Sequence, residues 1–127
     1  MIDQNTAPNG KVPQSQPINP DISFEQIEFD PPGGSDAEYV ELVNNEATAI
    51  DVSGWSIDTG VEVTFKPGTV IGPGASIFFV KDDRTFRSTY GPGKYVGATY
   101  KGKLSSDGET LRLLDVAGNI VQSLDFS

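Results

Sequence analysis

The chain has 127 residues, 36% of them hydrophobic, and its 18 acidic against 9 basic side chains give a formal charge of −9. Cysteine and histidine are both absent, which excludes disulfides, thiolate metal sites and thiol nucleophiles and removes the commonest general base. No run of about 18 apolar residues is present to cross a bilayer, and 14 Gly with 9 Pro favour many turns over long helices.

Residues 1–21 read as a flexible, Pro-rich linker. Pro8, Pro13, Pro17 and Pro20 recur among Asn, Gln, Ser and Thr, a composition that buries too little apolar surface to offset its ordering entropy. Met1 is followed by polar residues rather than a basic and then apolar succession, so no signal peptide is expected here. The start reads either as a cytoplasmic one or as that of a piece excised from a longer protein.

From Ile22 onward, short strands alternate with turn signals. In the first, Ile22 to Phe29, the apolar parity switches: Ile22 and Phe24 share one face, Ile27 and Phe29 the other. Strict alternation then predicts a bulge near Glu25-Gln26. Glu38 to Asn44 is a second strand, with Val40 and Leu42 on one face and Tyr39, Glu41 and Val43 on the other. Trp55 and Ile57 share a face after the Ser53-Gly54 turn. Val61 to Phe65 alternates, Lys66-Pro67-Gly68 turns, and Thr69 to Ile71 leads into Gly72-Pro73-Gly74.

Ala75 to Lys81 is apolar on both faces, so both need cover. The expected cover is a short helix near 82–90, capped by Asp82 or Asp83, with Phe86 and Tyr90 one turn apart on one side and Gly91-Pro92-Gly93 as its stop. Tyr95 to Val96 and Thr99 to Leu104 read as short strands. Asp107-Gly108 turns into Glu109 to Asp115, with Leu111 and Leu113 inward and Arg112 outward. Val116 to Asn119 forms a hairpin loop into Ile120 to Phe126. Gln122 breaks the apolar face shared by Ile120, Leu124 and Phe126. Many short strands and one helix predict an all-β, immunoglobulin-like β-sandwich over 22–127.

The order of these segments resembles the lamin tail domain family, the immunoglobulin-like module of nuclear intermediate-filament tails that also occurs in bacterial secreted and surface proteins. The residues that carry it are Glu38-Tyr39-Val40-Glu41-Leu42 with Asn44, Ser53-Gly54-Trp55, Phe65-Lys66-Pro67-Gly68 and Gly118-Asn119. Gly72-Pro73-Gly74 and the 82–90 insertion resemble the bacterial branch, and a filament-forming heptad rod is not part of this sequence. The resemblance implies a non-catalytic module, extracytoplasmic in secreted or cell-surface proteins, with attachment or protein recognition as its role. It also implies two alternatives: a calcium-assisted glycan- or surface-binding module, and an accessory domain of a secreted nuclease or hydrolase. It transfers no site residues.

The residues themselves point to no enzyme. No Gly-x-Ser-x-Gly elbow or Ser-x-x-Lys pair occurs, and Glu38 and Glu41, three apart on a strand, face opposite ways. No cofactor is expected. Calcium seeks several converging oxygens; Asp30, Asp36 and Glu38 around the Pro31–Gly34 turn are the candidates, against a plain reading as solvated turn carboxylates. A charge of −9 opposes phosphate binding, so nucleic acid is not an expected partner, and Lys94, Lys101 and Lys103 read as a solvated loop. Trp55 reads as core. Tyr39, Tyr95 and Tyr100 are the candidates for a partner-facing surface toward a protein or cell-surface partner.

Overall fold

The computed structural model describes residues 16–105 and 108–126. Two sheets face each other. The first has four strands in the order β1 (Ile22–Glu28), β2 (Tyr39–Asn44), β7 (Ser76–Val80) and β8 (Val96–Thr99); β8 runs parallel to β7 and the other pairs are antiparallel. The second has five, in the order β11 (Ile120–Phe126), β10 (Glu109–Leu114), β4 (Ser56–Asp58), β5 (Val61–Thr64) and β9 (Lys101–Gly102). A ribbon of β3 (Ile50–Asp51) and β6 (Val70–Ile71) lies outside both sheets.

Alternation fills the space between the sheets. Val40, Leu42, Ile77 and Phe79 come from the first, and Ile57, Val61, Leu111 and Leu113 from the second, all buried in one cluster. Phe65 stacks on Phe79 with ring centroids 4.3 Å apart. Trp55 belongs to this core and is buried, as its place before β4 predicts. The architecture is the immunoglobulin-like sandwich expected from the turn spacing.

Both parity faults resolve into bulges. In β1 the register steps from Phe24↔Leu42 to Gln26↔Glu41, which leaves Glu25 as the extra residue. In β11 it steps from Leu113↔Gln122 to Leu114↔Ile120, so Val121 is extra and Ile120 turns to the other face. Gln122 therefore points inward, where its side-chain oxygen accepts the Phe24 backbone N–H at 2.6 Å. That bond joins β11 to β1, the two sheet-edge strands at this side of the sandwich.

The second face of β7 is covered as expected. Helix α1 (Asp83–Tyr90) packs Phe86 on Phe78 and Val80. Asp82 occupies the N-cap position, but its carboxylate accepts the Thr85 hydroxyl at 2.7 Å and no backbone N–H. Gly91, at φ 97°, ends the helix, a conformation that only glycine adopts without strain.

The expected strands at Tyr95–Val96 and Thr99–Leu104 are replaced by β8 and β9. Gly97 is the reason. A Cβ there would lie 2.6 Å from Ile77 Cδ1 and 2.8 Å from Phe79 Cε1, so the glycine permits close packing inside a strand rather than a break between two. The Asp107 half of the expected Asp107-Gly108 turn lies outside the described residues, as do residues 1–15 of the expected linker. Residues 16–21 are tied to the sandwich. Gln16 donates to Ala49 O and accepts from Asp51 N, and the Asp21 backbone N–H donates to Glu46.

Candidate functional site

β2 runs between two ends of the sandwich, and each end carries one candidate site. At the start of β2, the chain turns through Pro31–Gly34, closed by Gly34 N–H on Pro31 O at 3.2 Å. A single 3-10 turn, Ser35–Ala37, follows and delivers Glu38 into the interior. Glu38 is 1% exposed. Its Oε1 accepts the Tyr100 hydroxyl at 2.8 Å and the Leu104 backbone N–H at 2.7 Å. These two bonds hold the chain on both sides of β9, at Tyr100 before it and at Leu104 after it. Burial, and then the hydrogen bond to Glu38, push the Tyr100 phenol far above its ordinary value.

This geometry corrects three expectations. Glu38 is not a solvated turn carboxylate; it is enclosed by the chain segment that follows β8. Asp36 turns away from it and pairs with Lys81 at 3.3 Å, while Asp30 stays exposed at the rim of a small cavity beside Glu38. Among the described residues, no three acidic side chains gather where they could share a metal ion. Tyr100 is 5% exposed and faces no partner, because its hydroxyl is directed at Glu38.

Tyr39 is also covered. It is half-buried beneath α1, with its ring edge-on to Phe78, Phe86 and Tyr90 at centroid distances of 5.2–5.5 Å. Burial, and then the neighbouring Tyr90, raise its phenol to about 12. Of the three tyrosines, Tyr95 alone is exposed.

At the other end of β2, Asn44 is fully buried. Its amide donates to Thr48 O, Ile71 O and Gly72 O, and its oxygen accepts Glu46 N–H. Asn44 thus fixes the loops around the β3–β6 ribbon. Beside this end, a cavity of about 490 Å³ is lined by Ile18, Pro20, Trp55, Asn119, Ile120 and Val121, among others. Ile18 is 94% exposed, Val116 74% and Ile120 56%; with Tyr95 they are the exposed large hydrophobic residues of the described chain. Ile18 and Ile120 line the cavity itself, and Val116 lies in the 115–119 loop beside it.

Sequence reasoning missed this apolar end. The linker composition around Ile18 hides it, and strict alternation puts Ile120 on one face with Leu124 and Phe126, a parity that the Val121 bulge breaks. The Gln122 anomaly was the one available signal. The loop that carries Val116 is well ordered by Asp115, whose carboxylate accepts Ala117 N–H and Asn119 N–H at 3.0 and 2.9 Å. These bonds, the Asn119 N–H first among them, hold the Asp115 carboxyl below its ordinary range.

The two-sheet sandwich and its α1 cover define an immunoglobulin-like module. The chain matches the family model described as Lamin Tail Domain over residues 15–127 and belongs to that family. A comparison with curated proteins found no match.

Proposed function

We propose that the domain is a non-catalytic recognition and spacer module of a larger bacterial exported or surface protein, and that it binds a protein partner through its apolar end. One observation carries the reading. Ile18, Val116 and Ile120, three of the four exposed large hydrophobic residues described, cluster around the Trp55 cavity. A contiguous apolar patch on an otherwise acidic surface marks a contact site far more than scattered single residues do. Family membership supports the non-catalytic part, because lamin tail domains are non-enzymatic immunoglobulin-like modules. The calcium-assisted alternative gains no support: of its three carboxylates Asp36 is paired with Lys81, and Glu38 is buried with one oxygen bonded to Tyr100 and Leu104.

The test uses the domain as bait for extracellular proteins of its source cell, beside Ile120→Asp and, on the helix face, Arg84→Asp. A partner retained by the wild type and Arg84→Asp but lost with Ile120→Asp is the expected result. A partner held equally by all three places the contact elsewhere.

A further inference from the structure

Glu38 uses only half of its carboxylate. Oε1 accepts both the Tyr100 hydroxyl and the Leu104 amide, while among the described residues no donor meets Oε2. Yet Oε2 is not sealed. Among the described residues, the Tyr90 hydroxyl is the fully buried side-chain polar atom that lacks a partner, so Oε2 keeps open surface although Glu38 as a whole is 1% exposed. The open space beside it is a cavity of about 230 Å³, lined by Phe29, Asp30, Pro31, Ser35, Lys103 and Leu104 with Glu38. A nearly dry carboxylate oxygen without a donor is costly until a cation or donor meets it.

The chemistry of the walls selects the cation. Calcium takes six to eight oxygens, and here Asp36, the nearest further carboxylate in sequence, is engaged by Lys81. A guanidinium prefers both oxygens of a carboxylate, and Glu38 has one to offer. An ammonium needs a few acceptors around a point charge, which Oε2, the Asp30 carboxylate and the Ser35 hydroxyl can supply. Phe29, Pro31 and Leu104 suit the methylene stem behind it.

We infer that this cavity binds the ammonium end of an alkyl chain, with Glu38 Oε2 as its charged acceptor, and that the chain is a lysine side chain of a basic protein partner. The formal charge of −9 steers such a partner toward the domain. Lys103, exposed at the rim and without an ion pair among the described residues, is the competing occupant from the chain itself. The site goes beyond the apolar-end reading. The two lie at opposite ends of β2, so either can fail alone.

The test titrates the folded domain with an acetyl-Gly-Lys-Gly-amide peptide, its norleucine and arginine counterparts, n-butylammonium and calcium, following backbone amide shifts. The lysine peptide is expected to give saturable shifts confined to residues 30–38 and 103–104. Norleucine should give none, and arginine should bind at least about tenfold more weakly. Glu38→Gln keeps an oxygen for Tyr100 and Leu104 but turns Oε2 into a donor, so about a tenfold or greater loss is expected with the fold intact. If that variant does not fold, Asp30→Asn carries the test: a loss of about threefold or more supports the site, and unchanged affinity overturns it. Equal shifts from norleucine also overturn it, as does calcium that saturates the same amides and displaces the peptide. Butylammonium binding as tightly as the peptide would overturn the protein source in favour of a free amine.

Discussion

Tyr100 donates its hydroxyl to Glu38 Oε1 at 2.8 Å, joining residues 62 positions apart where the chain passes from the first sheet to the second. The bond fixes that crossing from inside. Tyr100→Phe leaves Oε1 with the Leu104 amide as its one donor, and the lost bond should lower stability by about 1–3 kcal/mol. Urea unfolding should show a lower midpoint with an unchanged slope. An unchanged midpoint would mean that the bond contributes nothing.

Trp55 packs in the main core beneath the apolar end. Trp55→Ala should cost about 3–5 kcal/mol through the cavity it leaves. Native emission should be blue-shifted relative to the urea-unfolded chain; a native spectrum matching the unfolded one contradicts its burial.

Under α1, the Tyr90 hydroxyl is buried and has no hydrogen-bond partner among the described residues. Removing an unsatisfied polar atom relieves its desolvation penalty, about 1–3 kcal/mol. Tyr90→Phe is therefore expected to leave the thermal midpoint unchanged or raise it. A clear fall would reveal a partner for that hydroxyl.

Alkali should weaken the same cluster. Burial raises the Tyr39 phenol from its ordinary value of 10.0 to about 12, and the Tyr90 and Tyr100 phenols move the same way. The folded state thus favours the protonated phenols, and the unfolded chain releases its protons first. This contribution is complete below pH 10 and is lost as pH rises toward about 12. Urea midpoints measured across that window should fall, and Tyr39→Phe should make the fall shallower. An equally steep fall in Tyr39→Phe assigns it to other groups.

The backbone plan was largely legible because it rests on local rules. The parity switch between Phe24 and Ile27 marked the Glu25 bulge, and the two apolar faces of Ser76–Val80 demanded a cover that α1 supplies. What alternation cannot say is what lies over a face. Tyr39 sits on the outer face, but that face is the one under α1, and Tyr100, in the stretch Thr99 to Leu104 read as one strand, is buried between β8 and β9. Glu38 was misread for a similar reason. Its donors, Tyr100 and Leu104, come from far along the chain, and no local pattern announces them. The apolar end stayed hidden because the Val121 bulge reverses Ile120, while Gln122, the visible symptom, bonds to Phe24 on a distant strand.

The claim that the apolar end is the contact surface is tested most directly by site-specific photo-cross-linking. A photoreactive residue placed at Ile120, within the full-length parent protein on its own cells, should give a discrete covalent adduct to one partner. The same residue at Arg84, exposed on α1, should give none. Adducts from position 84 with none from position 120 would contradict the account.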